Sequence, residues 1–598
     1  MVRDLCLLKM VMLMPTILSV ADAESLLDRG TLVWPRDGTA AGTWRASGTE
    51  GVDPHARAEM GDGTVTVTTL RPGEGFWSVQ LLADIDQPVA KGDTLWLEAE
   101  LRCDATASES GDGTATFYFQ QATPEWDKSL SHTVTVPREG RRVQLPFRSR
   151  ADYAAGQAQL GIGLGDAKQT ITVTHVRLLN FGRAVRPSDL PRTRTSYAGR
   201  EPDAAWREEA AKRIDRIRKG DLAITVVDEG GRPVPHATVA VRMKRHAFGF
   251  GSTVVMQKIG SDDPADDVYR RHVEELFNRV SAENDLKWPQ WEADDQRWSR
   301  HRTLAGLRWV RQRYMTMHGH VLVWPSFKRL PDRLHAMKDD KPALRQAVLD
   351  HITDIMTATR GLTQEWDVVN EPFSNHDLMD VLGRDVMIDW YKLAHAMQPD
   401  TRLYLNDYGI LASGNRNDTR HQQHFEDTLR FLIDGGAPLH GIGVQSHFGE
   451  NVTQPTLLWT ILDRFATFGV PIQVTEFDVN TDDEQLQADY TRDFMTAVFA
   501  HEAVEGFVMW GFWEGRHWIP KAAMYRKDWS IKPNGEVYKD LVFNRWWTTL
   551  DGRTDADGVF RGRGFLGEYE VTVSEGGRAT TQALQLTRAG GGVTVTLR

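Results

Sequence analysis

Between residues 247 and 542, short apolar segments alternate with longer amphipathic ones, and this alternation restricts the fold more than any other feature of the chain. Helical patterns occupy the intervals, for example residues 420–435 and 485–500. Eight strand–helix repeats over roughly 300 residues predict a (β/α)8 barrel, in which reactive groups gather at the C-terminal ends of the strands. The predicted strands end near Ser252, Ala282, His320, Asn370, Asn406, Ser446, Thr475 and Gly511.

Two of these strand ends carry a glutamate. Residues 364–369 favour a strand, and Pro372 cannot donate to a strand ladder, so the first segment should end at Glu371. Residues 471–478 form another β-branched segment, with Glu476 near its end. Taken alone, Glu371 is better explained as an N-cap of the following helix, because a buried carboxylate is costly unless it is paired or used. Two strand-end glutamates together suit glycoside hydrolysis, in which one carboxyl protonates the leaving oxygen and the other attacks the sugar.

The motifs around the two glutamates, Val369-Asn370-Glu371-Pro372 and Val474-Thr475-Glu476-Phe477-Asp478, resemble those of glycoside hydrolase family 10, the retaining endo-β-1,4-xylanases. The resemblance covers about residues 247–542 and implies the same barrel. A lone Asn-Glu-Pro would be a weak signal, whereas an ordered set of motifs is specific. The further segments that match, in order, are residues 277–288, 319–324, 405–408, 441–447 and 510–511.

The resemblance implies a role for each residue of the reacting centre. Glu371 would be the general acid/base and Glu476 the nucleophile, with their carboxyl groups about 5–5.5 Å apart if configuration is retained. Asn370 would donate to the sugar 2-hydroxyl. His447 would hydrogen-bond the nucleophile, with Asp478 as its orienting partner, although His447 alone is better explained as a satisfied buried histidine.

The same resemblance supplies residues for the neighbouring sugar subsites. Lys287 could instead be a surface charge at a strand end. We expect no metal site, and we place His318 and His320 on opposite faces of their strand. The residues assigned are Glu283, Asn284 and Lys287 on the non-reducing side, His320, Trp324 and Gln445 beside the nucleophile, and Trp510 and Trp518 as its cover.

The chain departs from the family pattern at two places. Where the family continues Trp-His-Ser-Gln, this chain has Trp324-Pro325-Ser326-Phe327, so a histidine and a glutamine that would contact sugar are missing. The loop of residues 511–518 also differs, and we expect Trp513, Arg516 and His517 to rebuild that side of the cleft. These departures concern chain length and tolerance of branches rather than the reaction.

The N-terminal residues predict secretion. Residues 1–23 combine Arg3 and Lys9 with an apolar run and an Ala-Asp-Ala cleavage site, as a signal peptide does. Cys6 would leave with this peptide, so Cys103 would have no intramolecular partner and would serve as a small buried apolar residue. We therefore expect a protein that is extracellular or periplasmic and stabilised without disulfides.

The remaining segments predict further domains of β-structure. Residues 24–187 contain short alternating runs between Gly/Asp turns, which is typical of a sandwich or jelly roll and resembles a carbohydrate-binding module. Trp77, Trp126 and Tyr153 could form its stacking platform, although such aromatics more often belong to a core. We assign a linker and helix to 188–219, a β-hairpin to 220–246, the barrel to 247–546 and a β-segment to 547–598, and we expect the hairpin and the last segment to form one small sandwich.

The resemblance to glycoside hydrolase family 10, together with the predicted signal peptide, implies a secreted retaining endo-β-1,4-xylanase. A net charge of −11 gives no reason to expect nucleic acid or an anionic membrane surface as a partner. We expect xylan as the partner, a monomer, and no cofactor. Two alternatives stay open: a related barrel β-glycanase on another plant polysaccharide, and a non-catalytic carbohydrate-binding protein.

Overall fold

The computed structural model describes residues 25–35, 44–50, 54–61, 63–107, 112–122, 126–193 and 196–598. The predicted signal peptide lies outside these residues. The chain divides into two compact units, residues 1–195 and residues 196–598. In the part of the chain that is described, no helix has the length and apolar character needed to cross a membrane.

The N-terminal unit consists of two antiparallel sheets around one apolar core that includes Phe117, Leu160 and Ile171. Alternating side chains of each strand enter this core, as the sequence pattern predicts. Cys103 is a buried free thiol. One sheet contains, in spatial order, Ala56–Met60, Thr64–Thr69, Gln169–Asn180, Thr94–Thr106 and Arg141–Arg148, with Thr31–Trp34 added beside Gln169–Asn180; the other contains Arg45–Ser47, Gln80–Ile85, Ala158–Gly163, Gly113–Gln121 and Lys128–Val136.

The second unit begins with the helix Trp206–Arg218 and a small sandwich, here called the flanking sandwich, whose strands come from both sides of the barrel in the sequence. The prediction of a hairpin over residues 220–246 is wrong. Its two strands lie in different sheets. Ile224 of one strand and Val241 of the other both point into the core between the sheets, so the strands face each other. The two sheets are Val559–Phe565, Lys219–Val227 and Gly591–Thr596, and Thr549–Arg553, Thr238–His246, Gly567–Glu575 and Arg578–Leu586.

Eight parallel strands form the closed barrel, which confirms the predicted multidomain fold. Each strand pairs with the next, and the last pairs with the first. The strands are buried on both faces, and they combine apolar side chains with buried polar ones such as Glu365 and Gln473. The strands are β1 (Gly249–Val254), β2 (Arg279–Ala282), β3 (Thr316–Gly319), β4 (Glu365–Asn370), β5 (Arg402–Asp407), β6 (Gly441–Val444), β7 (Ile472–Val479) and β8 (Val504–Met509).

Helices follow every strand and cover the outside of the barrel. Thr419 and Gln422 form a capping box at the start of one of them, since the Thr419 hydroxyl accepts from the Gln422 amide at 3.1 Å and the Gln422 side chain accepts from Thr419. The helices are Met256–Ile259, Asp267–Leu276, Trp288–Ala293, Arg300–Gln312, Lys341–Ala358, Asp377–Leu382, Val386–Met397, Arg420–Asp434, Pro455–Ala466, Glu484–Phe499 and Pro533–Asp540.

The observed strand ends agree closely with the predicted ones, with one difference that affects the site. Strand β7 was expected to end near Thr475 but continues to Val479, so Glu476 lies inside the strand. Glu371 follows the last residue of β4. Both glutamates nevertheless face the C-terminal mouth of the barrel, where they line the same cleft.

Candidate active site

The C-terminal mouth of the barrel contains a cleft of about 630 Å³, here called the barrel cleft. The structure brings all twelve predicted catalytic and substrate-binding residues to its wall, although their individual roles stay predictions. These residues come from the ends of six strands and the loops after them, as expected for a barrel of this kind. They are Glu283, Asn284, Lys287, His320, Trp324, Asn370, Glu371, Gln445, His447, Glu476, Trp510 and Trp518.

Glu371 is held in a backbone conformation that is unusual for its residue type. Its φ angle is 56°, in the left-handed region, where a residue other than glycine is strained by about 1–3 kcal/mol. Its amide donates to the Asn406 carbonyl at 2.9 Å, which fixes the turn at the end of β4. Ser446, beside the cleft after β6, has a φ angle of 71°. Backbone strain of this kind occurs at these two positions beside the cleft, as it does at several turns elsewhere in the chain.

Three donors hold the Glu371 carboxyl group. Trp324 Nε1 and Asn375 Nδ2 both donate to Glu371 Oε2 at 3.0 Å, and Gln445 Nε2 donates to Oε1 at 2.9 Å. Burial is the largest influence on this group and raises its pKa, the Gln445 hydrogen bond lowers it, and the negative charge of Glu476 raises it. The net effect is a raised pKa. Glu371 therefore keeps its proton to higher pH than an ordinary glutamate does.

Glu476 has a different set of partners. Asn406 Nδ2 donates to Glu476 Oε1 at 2.8 Å, and His447 Nε2 lies 3.1 Å from Oε2. The same Asn406 amide group donates to Asn370 Oδ1 at 3.0 Å, so β4, β5 and β7 are connected across the floor of the cleft. Glu476 is only 4% exposed, and these contacts fix the direction of its carboxylate.

His447 stands between two carboxylates. Its Nδ1 lies 3.0 Å from Asp478 Oδ2, and its Nε2 faces Glu476. Burial disfavours the charged ring, but Asp478 and then Glu476 outweigh it and raise the pKa of His447 to about 10. Trp518 Nε1 donates to the same Asp478 oxygen at 2.8 Å. Asp478 thus orients both a cation beside Glu476 and an indole at the rim.

The three residues predicted for the subsite on the non-reducing side also lie together in the cleft. Lys287 Nζ donates to Asn284 Oδ1 at 2.9 Å and stands 5.3 Å from the Trp324 ring centroid and 5.6 Å from that of Trp510. Burial lowers the pKa of Lys287 and raises the pKa of Glu283. The cleft therefore presents a cation, an acid, an amide and two indole faces to a ligand, which suits polar rings with apolar faces.

A chain of buried ionisable groups leads from the barrel interior to the cleft. His318 Nδ1 lies 3.0 Å from Glu365 Oε2 and His318 Nε2 lies 3.0 Å from Asp367 Oδ1. Asp367 Oδ2 in turn lies 2.8 Å from His320 Nδ1. The expectation that His318 and His320 occupy opposite faces is wrong, because residues two apart on a strand share a face and both rings point into the barrel. Asp367 separates them, and no cluster able to hold a metal ion occurs among the residues described.

The two departures from the family pattern have different outcomes. Phe327 turns into the core, and its amide donates to Asp377 Oδ2 at 2.8 Å, so that Lys328 and Arg329 form the cleft wall at this place. In the loop after β8, the expected rebuilding by Trp513 and His517 is wrong. Trp513 stacks on Trp529 with ring centroids 4.6 Å apart, and His517 is buried, with its Nδ1 accepting from the Ile519 amide at 3.0 Å.

Sequence reasoning missed residues that act through others. Asn375 and Asn406 hold the two glutamates, and Asp367 holds His320. A signal existed for two of them, because Asn375 follows Glu371 by four residues and Asn406 belongs to a matched motif. Asp367 gave no separate signal within its apolar strand.

Comparison with known proteins places this cleft in a family. The model of glycosyl hydrolase family 10 matches residues 241–541, about half of the chain. The curated relatives include the anti-sigma-I factor RsgI6 of Acetivibrio thermocellus, which is 29% identical over 66% of this chain and 50% of its own length, and endo-1,4-beta-xylanase 1 of Arabidopsis thaliana, 28% identical over 60% of this chain and 37% of its own length. The chain thus matches half or less of the length of each of these two relatives.

Among solved structures, native xylanase 10B from Thermotoga maritima is 23% identical, with a TM-score of 0.45, over 50% of this chain and 96% of that one. The family match covers the eight barrel strands and every residue assigned to the cleft. The chain therefore belongs to glycosyl hydrolase family 10.

Proposed function

We propose that this protein is an endo-β-1,4-xylanase that cleaves internal bonds of xylan with retention of configuration. The observation that carries the proposal is the contrast between two carboxyl groups in one cleft. Burial raises the pKa of Glu371, whereas Glu476 faces a positively charged His447 and the Asn406 amide. One acid suited to keep a proton and one carboxylate suited to attack are what double displacement needs. The xylanase names of several relatives support the substrate.

The proposed reaction has two steps. Glu371 protonates the glycosidic oxygen while Glu476 attacks the anomeric carbon, which breaks the bond to the leaving sugar and forms a glycosyl ester. Esterification removes the negative charge of Glu476, one of the causes that raise the pKa of Glu371, so that pKa falls. Glu371 then takes a proton from the water that attacks the ester. The same group serves first as acid and then as base.

Asn370 supplies a contact that strengthens in the transition state. Its Oδ1 accepts from Asn406 at 3.0 Å, whereas its Nδ2 is buried and has no hydrogen-bond partner among the described residues. An unpaired buried donor is unfavourable unless a ligand completes it. We assign this donor to the 2-hydroxyl of the sugar that Glu476 attacks.

Substitution of each glutamate tests the proposal. Glu476→Ala should abolish turnover, and added azide should restore it with the inverted product. Glu371→Ala should slow natural xylan far more than an aryl xyloside with a good leaving group, since that leaving group needs no proton. Equal losses on both substrates would refute the acid role of Glu371.

Two other functions remain as outcomes of a substrate panel. Preferred cleavage of cellulose or mixed-linkage glucan would indicate a related β-glycanase. Binding without release of reducing sugar from any polysaccharide would indicate a non-catalytic protein. The panel should follow the anomeric form of the products in real time, because retention and inversion are then read directly.

We also propose that the N-terminal unit binds polysaccharide through the outer face of its second sheet. On that face of the central strand Ala158–Gly163, the Tyr118 ring covers Gly161 and the Phe76 ring covers Gly163. Tyr153 is only 3% exposed and belongs to the core, so it is no part of a platform. Trp77, whose ring centroid lies 5.2 Å from that of Phe76, is the exposed aromatic ring at this place and suits the apolar face of a sugar.

Trp77, 55% exposed, supplies the test of this binding face. Trp77→Ala in the Glu476→Ala protein should reduce retention on insoluble xylan, because an exposed indole has been lost from the sugar-stacking surface. The matched control is Leu32→Ala, which removes an exposed apolar side chain from a strand of the first sheet. Equal retention of both variants and the parent would refute the assignment.

Secretion is a further part of the proposal and rests on residues 1–23. The charged start, the apolar run and the Ala-Asp-Ala site support removal of this segment during export. The mass of protein recovered from the medium or periplasm tests it. A mass that retains residues 1–23 would exclude cleavage at this site.

A further inference from the structure

We propose that Lys328 and Arg329 select xylan chains that carry carboxylate substituents, that is, uronic acid side groups on the neutral backbone. The inference rests on the proposed function and adds a substrate class to it. Both residues are exposed and line the barrel cleft. They follow the point at which the chain departs from the family pattern, where Pro325 and Phe327 replace the residues expected to contact sugar.

Their position follows from how the preceding residues pack. Phe327 is buried, and its amide donates to Asp377 Oδ2 at 2.8 Å. The Arg329 amide donates to the Ser326 carbonyl at 2.7 Å, closing a short 3₁₀ turn over residues 327–329. With Phe327 turned inward, the next two side chains are the ones that reach the cleft. The backbone of this cation pair is therefore fixed.

Arg329 is connected to the reacting centre through one side chain. Its guanidinium carbon lies 4.1 Å from the Trp324 ring centroid, and Trp324 Nε1 donates to Glu371 Oε2 at 3.0 Å. Stacking on an indole face holds a guanidinium flat and leaves its N–H groups directed outward along the plane. Those N–H groups match the geometry of a carboxylate, which they can bind in bidentate fashion.

Neither cation forms an ion pair with an acidic side chain in the described part of the chain. Neighbouring cations do: Arg333 Nε lies 2.6 Å from Glu292, and Arg300 lies 3.2 Å from Asp354. With 82 acidic against 71 basic residues, partners are abundant in this protein. Two unpaired cations at one cleft wall therefore provide positive charge that a neutral sugar chain does not use.

The charges of the cleft determine where a carboxylate substituent of the substrate can bind. The Glu476 carboxylate would repel a second carboxylate that approached it, whereas Lys328 and Arg329 offer that carboxylate a position at the rim. Because the pair is exposed, its contribution should be modest and should weaken as salt is added. We therefore expect a preference between substrates rather than an absolute requirement.

The experiment compares one polymer in two forms: a uronic acid–bearing xylan, and the same preparation after its carboxylates have been reduced to alcohols. At low salt the wild-type protein should show about five-fold higher kcat/KM on the acidic form, as expected for two exposed ion pairs. Lys328→Gln with Arg329→Gln should remove that preference, so that kcat/KM falls about five-fold more on the acidic polymer than on the reduced one. Arg308→Gln is the control, because Arg308 is exposed on the outer helix Arg300–Gln312, away from the cleft.

Equal losses of the double variant on both polymers would overturn the proposal, because the cations would then contact the backbone. A retained preference in the double variant would overturn it as well. If the wild type cleaves neither polymer, the proposed function fails separately. Affinity electrophoresis of the Glu476→Ala protein, with and without the two Gln substitutions, then still measures whether the carboxylates are recognised.

Discussion

Replacing Gln445 by methionine tests the proton-donor role of Glu371 most directly. Gln445 Nε2 donates to Glu371 Oε1 at 2.9 Å, and this bond favours the ionised carboxylate against the burial that raises its pKa. Methionine has a similar length and no donor. A hydrogen bond to a charged group contributes about 1.5–3 kcal/mol, and one pKa unit corresponds to about 1.4 kcal/mol. The pKa of Glu371 should therefore rise, and we expect about one unit because Trp324 and Asn375 remain as donors.

The assay is the pH dependence of kcat/KM on an aryl xylobioside with a poor leaving group. A general acid with a higher pKa stays protonated to higher pH, so the alkaline limb of the profile should move upward by about one unit. Gln290→Met is the matched control, because Gln290 lines the same cleft without a hydrogen bond to Glu371. An alkaline limb that stays in place, or moves to lower pH, would refute the assignment of Glu371. A rise in KM alone would report only a lost sugar contact.

Three further predictions follow from the described contacts. Asn370→Ala should lower kcat/KM on xylobiosides by about 10- to 100-fold and have little effect on the matching 2-deoxy glycoside, because the lost donor serves the 2-hydroxyl. Asp478→Asn should bring the pKa of His447 well below its value of about 10, as measured by NMR titration of the ring, because the Asp478 charge is the largest influence raising it. His318 has its pKa raised from 6.5 to about 9, so its stabilising charge is complete below pH 6.5 and is lost as pH rises through 9. The melting temperature should therefore fall between pH 7 and pH 10, and His318→Gln should reduce that fall; an equal fall in both proteins would contradict it.

The sequence predicted the barrel and the cleft because both depend on local patterns. Apolar runs such as residues 506–509 identify buried parallel strands, and polar residues that follow such strands, Glu371 among them, reach the mouth of the barrel. Ordered motifs then identified the twelve predicted residues that line the cleft.

What the sequence did not predict depends on pairing across long distances. Alternation shows that Ile224 and Val241 are buried, but it does not show whether their strands lie side by side or face to face. For the same reason Asn406 was not assigned, since its role arises only when β5 lies beside β4 and two strands from β7. Arg329 reached the cleft because Phe327 turned inward, which the sequence alone does not indicate.

The flanking sandwich has a consequence for how the catalytic part can be handled in the laboratory. Strand Lys219–Val227 pairs with Gly591–Thr596, so the two ends of the second unit are clasped together around the intervening barrel. Truncation at the family limits, residues 241 and 541, would cut through strand Thr238–His246 and discard its partners, leaving unsatisfied strand edges that favour aggregation. An expression fragment should therefore run from residue 196 to residue 598. We expect the barrel and the flanking sandwich to unfold together in one cooperative transition.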